Sequence, residues 1–355
     1  FNFGGEAFGK DSIFEVPSTF GVGVESYDYV LSANNKCGIQ HIITLLDGNI
    51  ISEWQLDSVD FDRTRHVNSY IWKHPNVKSN HFHRSYILPG APEDHFLYTE
   101  KKGIVTIKDT LLHAITVMVS DFTGNATCVY AYVQNREIGK PWQPEGALVK
   151  WNAESNLSGQ WVDVQIPTNG LYEDVYIKWS DGKGFNKKMN GEALYVEFKD
   201  ETIWAEKPTL HCKEKIGTSA KMGWWNADKK DWVAIDSLGN AKAAWSGKYW
   251  MLTDEEAPDC KADKEKAAPK EFASFSTCFY AWVTDDLSGI KSVEGYVNDK
   301  WVLLYYDAKN NWVMLDPKYT PTTGVTKINI RCKDKAGNLF QKDFPLSAKK
   351  LPVKV

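Results

Sequence analysis

The feature that most constrains this fold is a succession of short apolar or alternating runs, each closed by Gly, Pro, Asn or Asp. Examples are residues 20–27, 41–46, 161–166, 175–179 and 327–331. Such runs have the length and alternation of β-strands, and no long window shows the 3.6-residue periodicity of a helix. Only Arg63 to Lys73 could form a short helix. The sequence therefore predicts an all-β chain built from immunoglobulin-like β-sandwiches.

Composition and charge narrow the class of protein. The 355 residues include 15 Trp, 16 Tyr and 16 Phe, and aromatic side chains favour the half-buried surface of a sheet. The net charge of -4 provides no basic surface for nucleic acid or an anionic membrane. No apolar stretch approaches the roughly 20 residues of a membrane-spanning helix. We therefore expect no nucleic-acid partner and no transmembrane segment.

An internal repeat relates the two ends of the chain. Gly38-Ile39 is followed by an Asp47-Gly48 turn, and Gly289-Ile290 is followed at the same spacing by an Asn298-Asp299 turn. Both copies close with an Asp-x-x-Gly-Asn pattern, at 121–125 and 334–338. This order predicts a strand, a turn with unusual backbone angles and a returning edge strand. The first copy is longer, which places an insertion at about 57–100.

Two breaks divide the chain into three predicted modules. A Pro- and Gly-containing segment covers 139–146, and the segment 253–258 leads into a polar run to 271. The modules are a β-sandwich with the insertion (1–138), a Trp-rich β module (139–252) and an immunoglobulin-like β-sandwich (253–355).

Several segments resemble one bacterial family. The resemblance is carried by residues 61–71, 84–90, 121–125, 285–290, 298–302 and 306–311. They are similar to the non-catalytic C-terminal region of long lysostaphin-like (LytM-type) zinc peptidoglycan endopeptidases of Bacteroidetes. The resemblance implies an exported protein, in the periplasm or at the cell surface.

The zinc ligands of that family are not found in this sequence. The family uses a His-x-x-x-Asp pair and a later His-x-His, and zinc catalysis needs three protein ligands with one open position. The only local candidate is His81-Phe82-His83, but Ser85 and Ile87 stand where an Asp is required. We therefore expect no catalytic residues and no enzyme in this chain, although a longer parent protein could be a metallopeptidase.

The six cysteines give no further metal motif. They are scattered and contain no Cys-x-x-Cys pair, which argues against a zinc ribbon. Their disulfide pairing stays open.

The insertion contains the densest mixture of aromatic and hydrogen-bonding side chains, and an insertion in a sandwich often carries recognition groups. The cluster runs from Tyr70 to Tyr86 and also holds His74 and Phe82. The candidate binding residues are Tyr70, Trp72, His81, His83, Arg84 and Tyr86. The alternative is that Arg65, Asn68 and Arg84 only brace the insertion against the second module.

Tryptophans of the middle module are secondary candidates. Trp224, Trp225 and Trp232, with Trp245 and Trp250, could form stacking platforms for sugars. The alternative is that these rings fill sandwich cores, and the sequence favours it.

Calcium is the only cofactor that the sequence suggests. Hard oxygen ligands in loops at module junctions suit this ion. The candidate residues are Asp28, Asp121, Asp285, Asp286 and Asp334. Turn formation alone also explains these aspartates.

Together these observations predict a non-catalytic accessory or interaction region of an exported cell-envelope protein related to peptidoglycan endopeptidases. Its partner would be cell-wall glycan or another envelope protein. One alternative is a glycan-binding protein that uses exposed aromatic residues. Another is a fragment of an active zinc peptidase whose catalytic domain lies upstream of Phe1.

Overall fold

The structure is a computed structural model that describes 13–29, 36–73, 81–136, 144–200, 202–214, 221–236, 238–262, 279–319, 321 and 324–347. Strands dominate the described residues, so the all-β prediction is confirmed. The described helices are the 3-10 helices Phe61–His66, Lys101–Gly103 and Pro317–Tyr319 and the α-helix α1, Val67–Tyr70. None of these short helices has the length and apolar character needed to cross a membrane.

Seventeen strands occupy the described residues up to 177. They are β1 Ile13–Val16, β2 Thr19–Phe20, β3 Gly23–Val24, β4 Asp28–Tyr29, β5 Lys36–Cys37, β6 His41–Leu46, β7 Asn49–Gln55, β8 Ile71–Lys73, β9 His81–Arg84, β10 Phe96–Thr99, β11 Val105–Thr106, β12 Leu112–Ser120, β13 Ala126–Asn135, β14 Ala147–Val149, β15 Ser155–Ser158, β16 Val162–Ile166 and β17 Val175–Ile177.

Fifteen more strands follow in the described part of the chain. They are β18 Trp179–Asn186, β19 Gly191–Phe198, β20 Thr209–Cys212, β21 Met222–Asn226, β22 Asp231–Ala234, β23 Asn240–Lys242, β24 Gly247–Thr253, β25 Asp259–Ala262, β26 Tyr280–Thr284, β27 Ile290–Val297, β28 Lys300–Val302, β29 Leu304–Asp307, β30 Trp312–Leu315, β31 Val325–Asp334 and β32 Leu339–Ser347.

The N-terminal strands form one large sheet and several small ones. The large sheet has the order β1-β13-β12-β6-β7-β10, and the small sheets are β3-β9-β8, β11-β2 and β4-β5. Alternation in β12 places Ile115, Val117 and Val119 on one face, where they pack in a common core with Trp54 and Val105. That core covers one face of the large sheet, as expected for an antiparallel strand that alternates apolar and polar residues.

The middle strands form a five-stranded sheet, β18-β19-β24-β21-β22, a four-stranded sheet, β15-β16-β20-β23, and the pair β14-β17. The terminal strands form two four-stranded sheets, β25-β26-β30-β29 and β28-β27-β31-β32. A single apolar core contains Ala281 and Val313 from the first terminal sheet and Ile328 and Ile330 from the second. This arrangement is a β-sandwich of the immunoglobulin-like type.

Two compact units account for the chain. One contains 1–155, 166–177 and 203–207, and the other contains 156–165, 178–202 and 208–355. Each sheet of the described residues stays within one of the three predicted modules, except that β24 extends to Thr253, one residue past the boundary at 252. The module boundaries at 138 and 252 stay a prediction.

The predicted helix at 63–73 is only partly helical. Asp60 begins the 3-10 helix Phe61–His66 by accepting from the backbone N–H of Asp62 at 3.1 Å. The helix α1 then ends at Tyr70, because Ile71 begins β8 and pairs with His83 of β9. Pairing with a distant strand thus overrides the local helical pattern at the end of this segment.

The Asp-x-x-Gly-Asn pattern forms one kind of hairpin turn. In each copy the first backbone N–H donates to the Asn carbonyl oxygen, and the Asn side-chain amide donates back to the Asp carboxylate. A third copy, at Asp236, Gly239 and Asn240, was not recognised in the sequence and makes the same bonds. The three glycines have φ of 88°, 83° and 98°, a region that favours glycine.

Candidate functional site

The insertion contributes β8 and β9 to a three-stranded sheet with β3. Alternation along β9 sends His81 and His83 to one face and Phe82 and Arg84 to the other. His81 is exposed, whereas the His83 ring lies 5.5 Å from the Trp54 ring. Burial, together with the nearby His81, lowers the pKa of His83. The two histidines therefore have different surroundings, although they share a face.

A cavity brings three of the predicted binding residues together. Trp72, Arg84 and Tyr86 line a space of about 260 Å³. Its remaining walls are mostly apolar and include Phe14, Val16, Phe20, Phe82 and Val133. The space is close to the lower end of the size range of small-ligand sites, and it has the expected apolar lining with few polar groups.

Arg84 is the charged residue of this cavity wall and is also a structural brace. It is only 5% exposed, and its Nη1 donates to the carbonyl oxygens of Ser69 at 3.0 Å and Ile71 at 2.8 Å. Its Nε is buried, and no group in the described part of the chain accepts a hydrogen bond from it. Nη1 of the guanidinium thus holds α1 and β8 together. The buried Nε is a donor without a partner among the described residues.

Tyr70 lies apart from that cavity lining. Its side chain is buried, its hydroxyl donates to the carbonyl oxygen of Pro92 at 3.2 Å, and its ring packs against Trp54 and His95. Burial raises the pKa of Tyr70 to about 12. Of the six predicted residues, three therefore line the cavity, while Tyr70, His81 and His83 have other surroundings. His74 lies outside the described residues.

The insertion is also tied to residues of the predicted second module, within the same compact unit. Arg65 donates from Nε to the carbonyl oxygen of Trp204 at 2.9 Å, and His66 lies 3.2 Å from the Tyr172 hydroxyl. Asn68 donates to the carbonyl oxygen of Arg65. Of the three residues that the sequence offered as braces against the second module, Arg65 bonds to that module, whereas the hydrogen bonds of Asn68 and Arg84 stay within the insertion.

The outer face of the five-stranded sheet carries a second candidate site, which we call the aromatic row. Tyr195 on β19 pairs with Trp250 on β24, Trp250 pairs with Trp225 on β21, and Trp225 pairs with Trp232 on β22. Directly paired residues point to the same face of a sheet. Four neighbouring strands thus contribute one ring each, and the rings form a line across the sheet.

The opposite face of this sheet belongs to the core. Its buried side chains are Val196, Phe198, Trp224, Tyr249 and Met251. In the aromatic row, Tyr195, Trp250 and Trp225 are half-buried, whereas Trp232 is buried beside Ala336. Trp225 and Trp250 also pack against this apolar cluster, so the face is partly covered and each of the three half-buried rings keeps only part of its surface exposed.

Polar groups border these rings. The Lys248 ammonium lies 4.0 Å from the Tyr195 ring centroid and 4.8 Å from that of Trp250, and it pairs with Glu197 at 3.5 Å. Lys188 lies 5.1 Å from the Trp225 centroid. Such contacts between ammonium groups and ring faces are worth little when they are exposed to water. Lys188 is held more firmly, because its ammonium also donates to the backbone carbonyl oxygen of Asp286 at 2.7 Å.

Glycines allow the rings at the end of the aromatic row to lie close against the neighbouring strand. Gly182 on β18 pairs with Tyr195, and a Cβ there would come within 3.1 Å of the tyrosine ring. At Gly184 a Cβ would meet Trp250 at 3.4 Å. Glycine inside a strand often marks the close approach of another group.

The tryptophans that were predicted as stacking platforms thus fall into two groups. Trp224 is 0% exposed and offers no ring face to a ligand, and Trp232 is buried as well. Trp225 and Trp250 lie in the aromatic row. Tyr195 was not among the sequence candidates, because only the pairing of distant strands places it beside Trp250.

Three carboxylates converge at one end of the terminal sandwich. Asp254, Asp285 and Asp334 place ligand atoms within 4.8 Å of one another, and this is the one such group of His, Cys, Asp or Glu among the described residues. Burial, and then the two neighbouring carboxylates, raise the pKa of Asp285. The sequence named Asp285 and Asp334 as calcium candidates but missed Asp254.

Other predicted calcium residues serve turns. Asp28 accepts from the backbone N–H of Tyr29, and Asp121 accepts from Thr123 and Asn125. The hydrogen bonds from Asn125 and Thr123 lower the pKa of Asp121 to about 2. Calcium at any of these aspartates stays a prediction.

The comparisons with known proteins give no family. No family model and no curated protein matches the sequence. Among solved structures, the chain is similar to the Bacteroides ovatus mixed-linkage glucan utilization protein SGBP-B, in complex with a mixed-linkage heptasaccharide. The two sequences are 9% identical, and the TM-score is 0.16. The match covers 98% of this chain and 68% of SGBP-B.

Two further solved structures have similar values. A Ca²⁺-stabilized adhesin with which an Antarctic bacterium binds ice has 11% identity, covers 97% of this chain and 72% of its own, and has a TM-score of 0.17. The human desmocollin-1 ectodomain has 9% identity and a TM-score of 0.19. The match covers 88% of this chain and 53% of the ectodomain. These likenesses carry no argument about a ligand.

Proposed function

We propose that this chain is a non-catalytic carbohydrate-binding protein whose ligand lies along the aromatic row. The observation that carries the proposal is the register that aligns Tyr195, Trp250 and Trp225 on one outer face. Flat rings bury the C–H faces of sugars, while their edges leave room for contacts to hydroxyl groups. A level row on neighbouring strands suits an extended polymer better than a single small molecule.

The groups around the rings suit hydroxyl-rich ligands. The Lys248 ammonium supplies donors and the Glu197 carboxylate supplies acceptors beside the row. Gly182 and Gly184 let the Tyr195 and Trp250 rings lie close against β18. A glycan would displace the Lys248 side chain from the faces of these rings and use its ammonium group as a hydrogen-bond donor.

Retention on glycan tests this proposal. Full-length chain is run through native gels that contain soluble β-glucan, or is mixed with insoluble peptidoglycan. Trp250→Ala and Tyr195→Ala should each weaken binding about tenfold, which corresponds to one ring contact. Trp245→Ala is the matched control, because Trp245 is 46% exposed and lies outside the row. Equal retention of all variants at unchanged melting temperature overturns the proposal.

The proposal includes the absence of catalysis. It is supported by the missing Asp partners of His81 and His83 and by the different surroundings of the two rings. Purified chain with added zinc should not cleave peptidoglycan or a glycyl peptide above background. Turnover that disappears in His83→Ala would overturn this part.

We also propose that the chain works outside the cytoplasm, as the accessory part of a cell-envelope protein akin to the lysostaphin-like endopeptidases. Support comes from the turn and strand motifs that resemble that family. Cell fractionation and the intact mass of the native protein test this. A native mass well above 40.3 kDa would indicate that a further domain accompanies the chain.

A further inference from the structure

Two cysteines meet in the core of the terminal sandwich. Cys260 lies on β25 and Cys332 lies on β31, in the two facing sheets. They are 2% and 0% exposed and belong to the same apolar core. Each thiol shifts the pKa of the other, lowering that of Cys260 and raising that of Cys332. The two thiols from facing sheets are therefore close neighbours in this core.

We propose that Cys260 and Cys332 form a disulfide that joins the two sheets when the chain folds in the presence of a disulfide oxidant. Facing sheets lie about 10 Å apart, so only inward side chains that meet between them can be bridged. A disulfide needs Cβ atoms roughly 3.5 to 4.5 Å apart. The backbone of the two sheets sets that separation, and rotation of the side chains then brings the two sulfurs together.

The oxidation is an exchange with a second disulfide. The Cys260 thiolate attacks one sulfur of the oxidant, and the other sulfur leaves as a thiolate. The Cys332 thiolate then attacks the Cys260 sulfur of this mixed disulfide and displaces the second oxidant thiolate. The two cysteine thiols lose two protons and two electrons, and the oxidant is reduced to two thiols.

The timing of the reaction follows from burial. The hydrogen bond to Cys260 and the burial of the thiol both raise the pKa of Cys332. Because the thiolate is the nucleophile, and because the core excludes the oxidant, the folded and reduced chain should oxidise slowly. Closure should occur during folding, before the two sheets exclude solvent.

The other described cysteines have different positions. Cys37 and Cys128 belong to the first compact unit, while Cys212 lies on β20 of the middle strands. Cys278 lies outside the described residues. Because several pairings are chemically open to six cysteines, the bond has to be identified by peptide mapping rather than by counting thiols.

Refolding of the full chain tests the proposal. Reduced, denatured chain is refolded in reduced and oxidised glutathione or, in parallel, in dithiothreitol, then alkylated with iodoacetamide in denaturant and digested. We expect one linked peptide pair that contains Cys260 and Cys332 in the glutathione sample only. The melting temperature of that sample should be higher by roughly 10 °C, because the bridge constrains the unfolded chain.

Variants separate the bridge from packing effects. In Cys332→Ala, the linked peptide and the difference in melting temperature between the two preparations should both disappear. In Cys212→Ala, which also loses a buried thiol, both should remain. Alkylation of both Cys260 and Cys332 after oxidative refolding of the wild type, or linkage of Cys260 to another cysteine, overturns the proposal. If a variant does not fold, the wild-type peptide map decides alone.

Discussion

Arg84 reaches from β9 to Ser69 at the end of α1, where its Nη1 donates to the backbone carbonyl oxygen at 3.0 Å. The same nitrogen donates to Ile71 on β8. Arg84→Ala removes both bonds and leaves two carbonyl oxygens without this donor. We expect a loss of about 2 to 4 kcal/mol in the free energy of unfolding, measured by urea titration.

His81→Ala is the control for that experiment. His81 lies on the same short strand but is exposed, so its removal should change the unfolding free energy by less than about 0.5 kcal/mol. Arg84→Lys should fall between the two, because an ammonium on a shorter side chain keeps the charge but not the reach to both carbonyl oxygens. Equal stability of Arg84→Ala and His81→Ala would contradict the bracing role.

The Asp-x-x-Gly-Asn hairpins should differ in their contribution to stability. Asp334 is buried, and its carboxylate accepts from the backbone N–H groups of Gly337 and Asn338 and from the Asn338 side chain. Asp334→Ala should therefore cost about 2 to 4 kcal/mol. Asp121→Ala removes the same pattern from an exposed turn, where water replaces the lost acceptor, so its effect should be clearly smaller.

Chemical denaturation of the two variants checks this order. The pair is matched in turn type, in the positive φ of the following glycine and in the Asn amide bond to the carboxylate. The two aspartates differ in burial, and Asp334 also lies beside the Asp254 and Asp285 carboxylates, whose repulsion its removal would relieve. Equal losses in the two variants would mean that turn conformation, rather than the cost of buried unpaired groups, determines the stability.

Much of the local structure could be predicted from the sequence because local chemistry determines it. The Asp47-Gly48 and Asn298-Asp299 turns have φ between 50° and 80° at all four residues, as their residue types suggest. The third Asp-x-x-Gly-Asn turn, which begins at Asp236, follows the same pattern and could have been found in the same way.

The candidate sites depended on strand pairing, which a single sequence does not specify. Tyr195 joins Trp250 because β19 pairs with β24, and these strands lie far apart in the chain. Trp224 and Trp225 are adjacent in sequence yet face opposite sides of the sheet, and only the register decides which one is outside. Asp254 likewise joins Asp334 through tertiary packing.

His113 should titrate above its ordinary value. Its Nδ1 lies 2.6 Å from an Asp47 carboxylate oxygen and its Nε2 lies 3.0 Å from one of Asp109. The hydrogen bonds to Asp47 and then to Asp109 raise the pKa of His113. A raised folded-state pKa contributes stability that is fully present below the unfolded value, near 6.5, and is lost as the pH rises through the folded value.

Histidine NMR titration measures this directly. Asp47→Asn and Asp109→Asn should each lower the His113 pKa, and Asp47→Asn should lower it more, because Asp47 is the stronger partner. His113→Gln should remove the corresponding fall in melting temperature as the pH rises above the unfolded value near 6.5. An unchanged His113 titration in both aspartate variants would contradict the prediction.

The change of stability with pH that Asp285 contributes should be opposite in sign to that of an ordinary surface carboxylate. Burial and the neighbouring Asp254 and Asp334 raise its pKa, although Gly289 and Leu287 donate backbone hydrogen bonds to it. Since the folded state then holds its proton more tightly than the unfolded state, stability falls as the pH rises from the unfolded value near 3.9 through the raised folded value. Asp285→Asn keeps the shape without the charge, so it should raise the melting temperature at pH 7 and flatten this part of the pH profile.

The same melting experiments check the calcium prediction. A rise with calcium chloride in the wild type that is absent in Asp285→Asn would confirm an ion at the three carboxylates, and identical curves with calcium and with a chelator would contradict it.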